Sequence, residues 1–514
     1  MRIIRYLFLA LGVFLIVGCS TKQAGTGTNY YLDAERGNDA NTGLSKEQAW
    51  KSLDRANALQ LEAGDSLLLR RGTVYTGKLE INAHGTVDNR IVIGAYGQGE
   101  APQIIAPDSS LYAVLIKNSD YLTLRDLDIT NKGSQRLARR TGVKVMCEEY
   151  GISHHIVLDA LSIHDVNGTL RKHSGEGSGI LIHARWEEKP SAFDSLTIEN
   201  CIIRRCERNA ISWDSNWDRK RWFPSTHTVV RKNLIEEVPG DGIVPYECDG
   251  ALIEYNLMRH CTNVFPIAES AVGIWPWSCD NTVIQYNEVS GHKATWDGQG
   301  FDSDFNCKNT VIQYNYSHDN DGGFVLICCP GPSECDTTAV MGNDGTIVQY
   351  NISINDGVRV RETHQGMFSP IIHITGPTTN TRVNNNILHA NKRPNEQVDR
   401  NMITSDSWGG YSHRTFITEN VFYSAVPSDF VFSHSTEDFF EGNYYLGNYA
   451  HIPNDKTGKF KSAYYESLLQ KDPKGFEALA ALMKKVPIAN GAAYVTMVDK
   501  KAIERFFEEM KKNE

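Results

Sequence analysis

Short bursts of alternating apolar and polar residues run along most of this chain, and the bursts repeat. The stretch Asn281 to Asn287 reads NTVIQYN and recurs unchanged from Asn309 to Asn315. Weaker copies run from Ala251 to Asn256 and from Thr346 to Asn351. Each copy has the grammar of one short strand closed by a polar turn. The closing Asn recurs at Asn200, Asn233, Asn256, Asn287, Asn315, Asn351, Asn386, Asn420 and Asn443, spaced 23 to 36 residues apart. Constant strand grammar at irregular spacing is the behaviour of a solenoid whose coils are lengthened by loops. An Asn at each corner can bond the Asn of the next coil, which satisfies polar groups buried at the bend. The pattern therefore predicts an all-β, three-sheet parallel solenoid.

The start of the pattern carries a resemblance. Tyr30 to Asp33, then Gly37-Asn38-Asp39 and Asn41-Thr42-Gly43, is similar to the opening of exported bacterial β-helix proteins. The stretch Trp296 to Asp304, with DGQGFDSD, and Tyr314 to Gly323, with YNYSHDNDGG, resembles the same group. That resemblance implies a single-stranded right-handed parallel β-helix over residues 29–450 and a carbohydrate-active, pectate-lyase-like superfamily. It assigns no reaction, because this fold hosts several. Ala49 to Leu53 predicts a capping helix. After residue 450 the grammar turns helical at Ala463 to Lys471, Gly475 to Lys485 and Asp499 to Lys511. Residues 451–514 are expected to be a helical appendage that caps the last coils.

Aligning the strands that follow the Asn corners brings out a face. They begin Ala210-Ile211, Gly242-Ile243, Gly273-Ile274, Gly300-Phe301 and Gly323-Phe324. The Ile and Phe residues form one inward column, so alternate positions point outward. The outward set holds Asp214, Tyr246, Trp275, Trp277, Asp302 and Asp304. Exposed Trp beside Asp suits a sugar: flat rings stack on its apolar faces while carboxylates take hydroxyls or act on the glycosidic bond. Asp302 and Asp304 lie two apart on one strand, with Cα atoms roughly 6.5 to 7 Å apart. With Asp321 one coil later, they are the expected catalytic carboxyls, one held protonated and one ionised. Tyr246, Trp275, Trp277, Trp296, Glu269, His318 and Arg359 are the expected substrate-binding residues. Asp297 and Asp319 also fit ordinary Gly-rich turns. The loops Gly168 to Ser191 and Cys329 to Gly345 are expected to wall the cleft.

Charge and composition narrow the partners. The 514 residues carry a net charge of −10 with no long basic run, which argues against nucleic acid. The expected partner is a polysaccharide or oligosaccharide, bound by a monomer. Arg2 and Arg5 precede an apolar run, Tyr6 to Val17, that ends Ile16-Val17-Gly18-Cys19. This resembles a bacterial lipobox, which implies a signal peptide over residues 1–18, lipid on Cys19 and a tether over residues 19–28. Ser20 in place of Asp favours the outer membrane, on its periplasmic or surface side. Of the other Cys, Cys329 and Cys335 could close a small loop, whereas Cys248, Cys279 and Cys307 fall in a stacked column.

No cofactor is required by this reading, although Ca²⁺ held by Asp302, Asp304 and Asp321 is an alternative. Three functions stay open. Paired Asp residues could hydrolyse a glycoside. A lyase could use His318, Arg359, Arg361, His373 or Lys308 as base. A surface lipoprotein could bind sugar without chemistry.

Overall fold

The computed structural model describes residues 27–512, apart from 267–268, 333, 335–339, 364–365, 393–396, 399–400 and 472–475. Cys19, Cys335 and the segments read as signal peptide and most of the tether lie outside the described residues.

The chain winds through three parallel sheets in turn. The first sheet stacks Leu252–Glu254, Val283–Gln285, Val311–Gln313 and Ile347–Gln349 in register, with Ile253, Ile284, Ile312 and Val348 as one inward column. The second follows the Asn corner and stacks Leu257–Arg259, Glu288–Ser290, Tyr316–His318 and Ile352–Ile354. The third carries the outward face singled out from sequence. One strand of the second sheet therefore intervenes between each Asn corner and that face.

The Asn ladder is present and continuous. From Asn233 to Asn420, each Asn donates its backbone N–H and its Nδ2 to the Oδ1 of the Asn in the next coil, the last being Asn443, at 2.9–3.1 Å. Each Nδ2 also reaches a main-chain carbonyl, as from Asn315 to Ile284 at 2.9 Å. Asp455 ends the column by accepting from Asn443 N–H and Nδ2 at 3.0 Å. Asn200 is not a rung. Its coil places Cys201 there instead, and the Cys201 N–H donates to Asn233 Oδ1 at 2.9 Å.

The predicted inward column of the third sheet holds for four coils and then slips. Ile211, Ile243, Ile274 and Phe301 are aligned partners, but Phe301 pairs with Val325 rather than Phe324. Gly323 causes the slip: its φ of +125° is open to glycine and strained for other residues. Phe324 still points into the core and packs edge-on against Phe301.

The ends also differ in part from expectation. The first helix is Leu53–Asn57, with Ser52 Oγ accepting from the Arg55 N–H at its start. The appendage has helices at Ala463–Lys471, Phe476–Ala480 and Lys500–Lys512, but Met483–Ile488 and Ala493–Val498 form an antiparallel hairpin. Val486, Val495 and Tyr494 give that segment strand propensity. The appendage packs along the flank of the second sheet rather than over the last coil alone. Val498, Ile503, Phe506, Phe507 and Met510 bury against Ile352, Ile354, Ile387 and Val421.

Candidate active site

The third sheet puts chemistry on its outer surface through register. Val244, Trp275, Asp302, Leu326 and His373 follow one another across the strands, and Tyr246, Trp277, Asp304, Cys328, Thr375 and Asp406 form the next outward row. The slip at Gly323 is what turns Cys328 outward beside Asp304. Alignment on the Gly-Phe pairs hides this, so sequence reasoning missed Cys328.

Three carboxyl groups act on one another here. Asp302 is 1% exposed, whereas Asp297 and Asp304 each reach the surface in part. Burial pushes Asp302 well above the usual carboxylate range, and the charges of Asp304 and Asp297 push it further. Of the three it is the one that burial and its neighbours most dispose to keep its proton. Burial raises Asp297 to about 6, with Lys172 opposing and Asp304 reinforcing the shift. Asp304 is raised by burial too, but two donors favour its ionised form. Its Oδ1 accepts the Phe305 N–H at 2.6 Å and the Cys328 thiol at 3.0 Å. The Cys328 thiol is pushed far up by burial and by both neighbouring carboxylates.

Aromatic rings line one side of the cluster. Trp277 stacks on Phe305 at 4.7 Å and on Tyr246 at 5.8 Å, and Trp217, 40% exposed, meets the edge of Phe305 at 5.5 Å. Trp277 and Tyr246 are partly exposed, as expected of a sugar platform. Trp275 is not: it is 2% exposed. Its Nε1 donates to Asp241 at 3.0 Å, and Lys172 Nζ lies 4.7 Å over its ring.

Lys172 comes from the loop that begins at Gly168, one of the two predicted walls. Glu269 anchors that loop by accepting the Lys172 backbone N–H at 3.0 Å and facing Arg171. Its position is thus beneath the wall. Glu176, on the same loop, is raised to about 7 by burial against the pull of Arg208 and Lys172. Below these, Arg208 is fully buried and pairs with Asp241 at 2.5 Å. Burial raises Asp241, but Lys172 and Arg208 outweigh it, so this carboxylate stays ionised.

The remaining expected residues stand apart from the cluster or support it indirectly. Asp321 is 3% exposed and ion-paired to Lys293 at 2.7 Å, with Arg359 and Arg361 also acting on it. Its carboxylate is taken up there rather than joined to Asp302 and Asp304. Arg359, 2% exposed, donates to the carbonyls of Asp297 at 2.5 Å, Ala294 at 2.9 Å and Phe368 at 3.1 Å. It fixes the main chain that presents Asp297 and offers sugar no surface. Trp296 is half-buried in the two-residue strand Trp296–Asp297, paired with Ser270–Ala271. His318 lies on the second sheet between Asp319 and Glu288, which hold its pKa at about 9 against the opposing effect of burial. His373, named above only as a possible lyase base, stands beyond Leu326 in the Asp302 row and bonds Asp406 at 3.0 Å. Lys172 and Glu176 carried no repeat signal. They arrive on a loop from a distant coil.

A right-handed parallel solenoid with crowded carboxyls and an aromatic wall on one outer face defines the class: a right-handed parallel β-helix protein. The family described as "Right handed beta helix region" matches residues 178–444, and the chain belongs to it. Among curated proteins it is similar to a lacto-N-biosidase of Bifidobacterium longum subsp. longum, 28% identical over 473 residues. That match takes in 72% of this chain, and the chain spans only 28% of the relative's length. Among solved structures, the GH136 lacto-N-biosidase from Eubacterium ramulus matches as a selenomethionine derivative with a TM-score of 0.58 and 25% identity. The match covers 77% of this chain and 67% of that one. The native form of the same protein matches with a TM-score of 0.59 and 24% identity, over 83% and 68% of the two chains.

Proposed function

We propose that the chain is a glycoside hydrolase that cleaves a glycosidic bond of an oligosaccharide or polysaccharide, with Asp304 and Asp297 as the working carboxyls. The observation that carries this is the difference in exposure within the cluster. A group that touches substrate needs surface, and Asp304 and Asp297 have it while Asp302 does not. Asp297, raised to about 6, serves as the acid that protonates the leaving oxygen. Asp304, ionised with the help of the Phe305 N–H and the Cys328 thiol, is the base or nucleophile. Asp302 stays neutral beneath them, and Trp277 and Tyr246 take a sugar face. The similarity to lacto-N-biosidases supports a hydrolase of that kind.

Elimination is less well served. Arg359 is spent on three carbonyls, and His318 lies between two carboxylates on another sheet. The resemblance of Ile16-Val17-Gly18-Cys19 to a lipobox supports an envelope location for this activity, on a lipid anchor.

The test is a panel of lacto-N-type oligosaccharides and neutral and acidic polysaccharides, read for new reducing ends and for ultraviolet absorbance together. New ends without absorbance, abolished in Asp304→Asn and Asp297→Asn, are expected. New ends with the absorbance of an unsaturated product would replace hydrolysis by elimination.

A further inference from the structure

Cys328 is more than a hydrogen-bond donor in this cluster. Its Sγ and one oxygen each of Asp302 and Asp304 all lie within 4.8 Å of one another. Among the described residues this is the only group of three or more His, Cys, Asp or Glu side chains placed so closely. The second observation concerns Asp302. This carboxyl is 1% exposed and aimed into the cluster, yet among the described residues its only hydrogen bond is a 4.0 Å contact from the Cys328 thiol. At that length it is barely a hydrogen bond. A buried polar group left so poorly paired costs about 1–3 kcal/mol, which a bound cation would recover.

We propose that Asp302, Asp304 and Cys328 form a binding site for a thiophilic divalent ion of the zinc class, and that the bound ion keeps Asp304 from substrate. The second half rests on the hydrolase reading; the first does not. Two carboxylates and a thiolate, with water in the fourth place, are a tetrahedral zinc-type donor set. Calcium wants six to eight oxygens, so the thiol and the low donor count disfavour it. Asp304 reaches the surface and gives the ion its way in. The charges facing the cluster are Asp297 and Asp241 on one side of the balance and Lys172 on the other, and the carboxylates prevail. Binding displaces the protons of the Cys328 thiol and the Asp302 carboxyl, so affinity rises with pH.

Cadmium is the probe, because a thiolate ligand gives it an ultraviolet charge-transfer band. Titration of the full chain should develop that band at one ion per chain, with Zn²⁺ competing and Ca²⁺ not. Cys328→Ser exchanges one atom and keeps the side-chain shape. It should lose the band and bind at least about tenfold more weakly. Asp302→Asn should keep the band and also bind more weakly. No band, or a band that survives in Cys328→Ser, would overturn the site. These readouts need no turnover, so the band together with no hydrolysis by the metal-free protein would support the site while counting against the hydrolase reading. Hydrolysis that continues unchanged with the ion bound would overturn the blocking role.

Discussion

Two polar columns run through the same coils and obey opposite rules. In the Asn ladder every rung from Asn233 to Asn443 is fully buried and its donors are met at 2.9–3.1 Å. On the outer face of the third sheet, Asp302, Asp304 and Cys328 are crowded together with too few donors between them. The ladder holds neutral groups that satisfy one another, so burial costs it little. The cluster holds acids whose charges oppose one another, so burial shifts their protonation instead. One column sets coil on coil, and the other holds the shifted acids on which the proposed acid–base chemistry rests.

The largest effect should come from the cluster. Asp304→Asn should lower kcat/KM at least about 10³-fold, or about 4 kcal/mol, while leaving the melting temperature unchanged or raised, since it removes a crowded charge. A matching fall in melting temperature would make Asp304 a structural residue like the Asn rungs. The ladder should give the reverse. Asn315→Ala strips the acceptor from the Asn287 N–H and Nδ2 and the donor to Ile284, and should destabilise the fold by about 3 kcal/mol. Turnover per folded molecule should hold. Equilibrium unfolding in urea together with active-site-normalised rates would separate the two. Next in size is pH. Asp297 must be protonated to act as acid and is half-protonated at about pH 6, so kcat/KM should fall as pH rises past 6. A profile flat from pH 5 to 8 would remove Asp297 from that role.

The same contrast explains what could be read from the chain. The ladder was legible because each rung sits in an identical local sentence, NTVIQYN or a near copy, and short-range grammar determined it. Only Asn200 misled, since the rung of that coil is its neighbour Cys201. Asp302 and Asp304 were legible as outward groups because a strand alternates. Their exposure was not, because it depends on what covers them. Trp275 looks like a platform until the Lys172 loop, anchored on Glu269, closes over it. Cys328 was hidden by the one-residue register slip at Gly323, and a slip of one exchanges the two faces of a strand. The helical expectation for residues 451–514 missed the hairpin at Met483–Ile488 and Ala493–Val498, of which only Met483 to Lys485 falls inside a predicted helix, because charged and apolar residues there fit both periods.

Lys172 gives the smallest and sharpest test. It touches neither column directly, yet its charge lowers the pKa of Asp297, Asp302 and Asp304 together. In Lys172→Met the ring of Trp275 keeps an apolar cover but the cluster loses the opposing charge that acts on all three of its carboxyls. Asp297 should then hold its proton to higher pH, and the falling limb of kcat/KM should move up by as much as about one unit. The ladder lies on the far side of the sheet corner and carries no charge, so the unfolding free energy at pH 7 should barely change. A limb that stays in place would mean that burial alone sets the proton on Asp297. A limb that moves down would mean that the ammonium group acts on the cleft by shaping the loop rather than by its field.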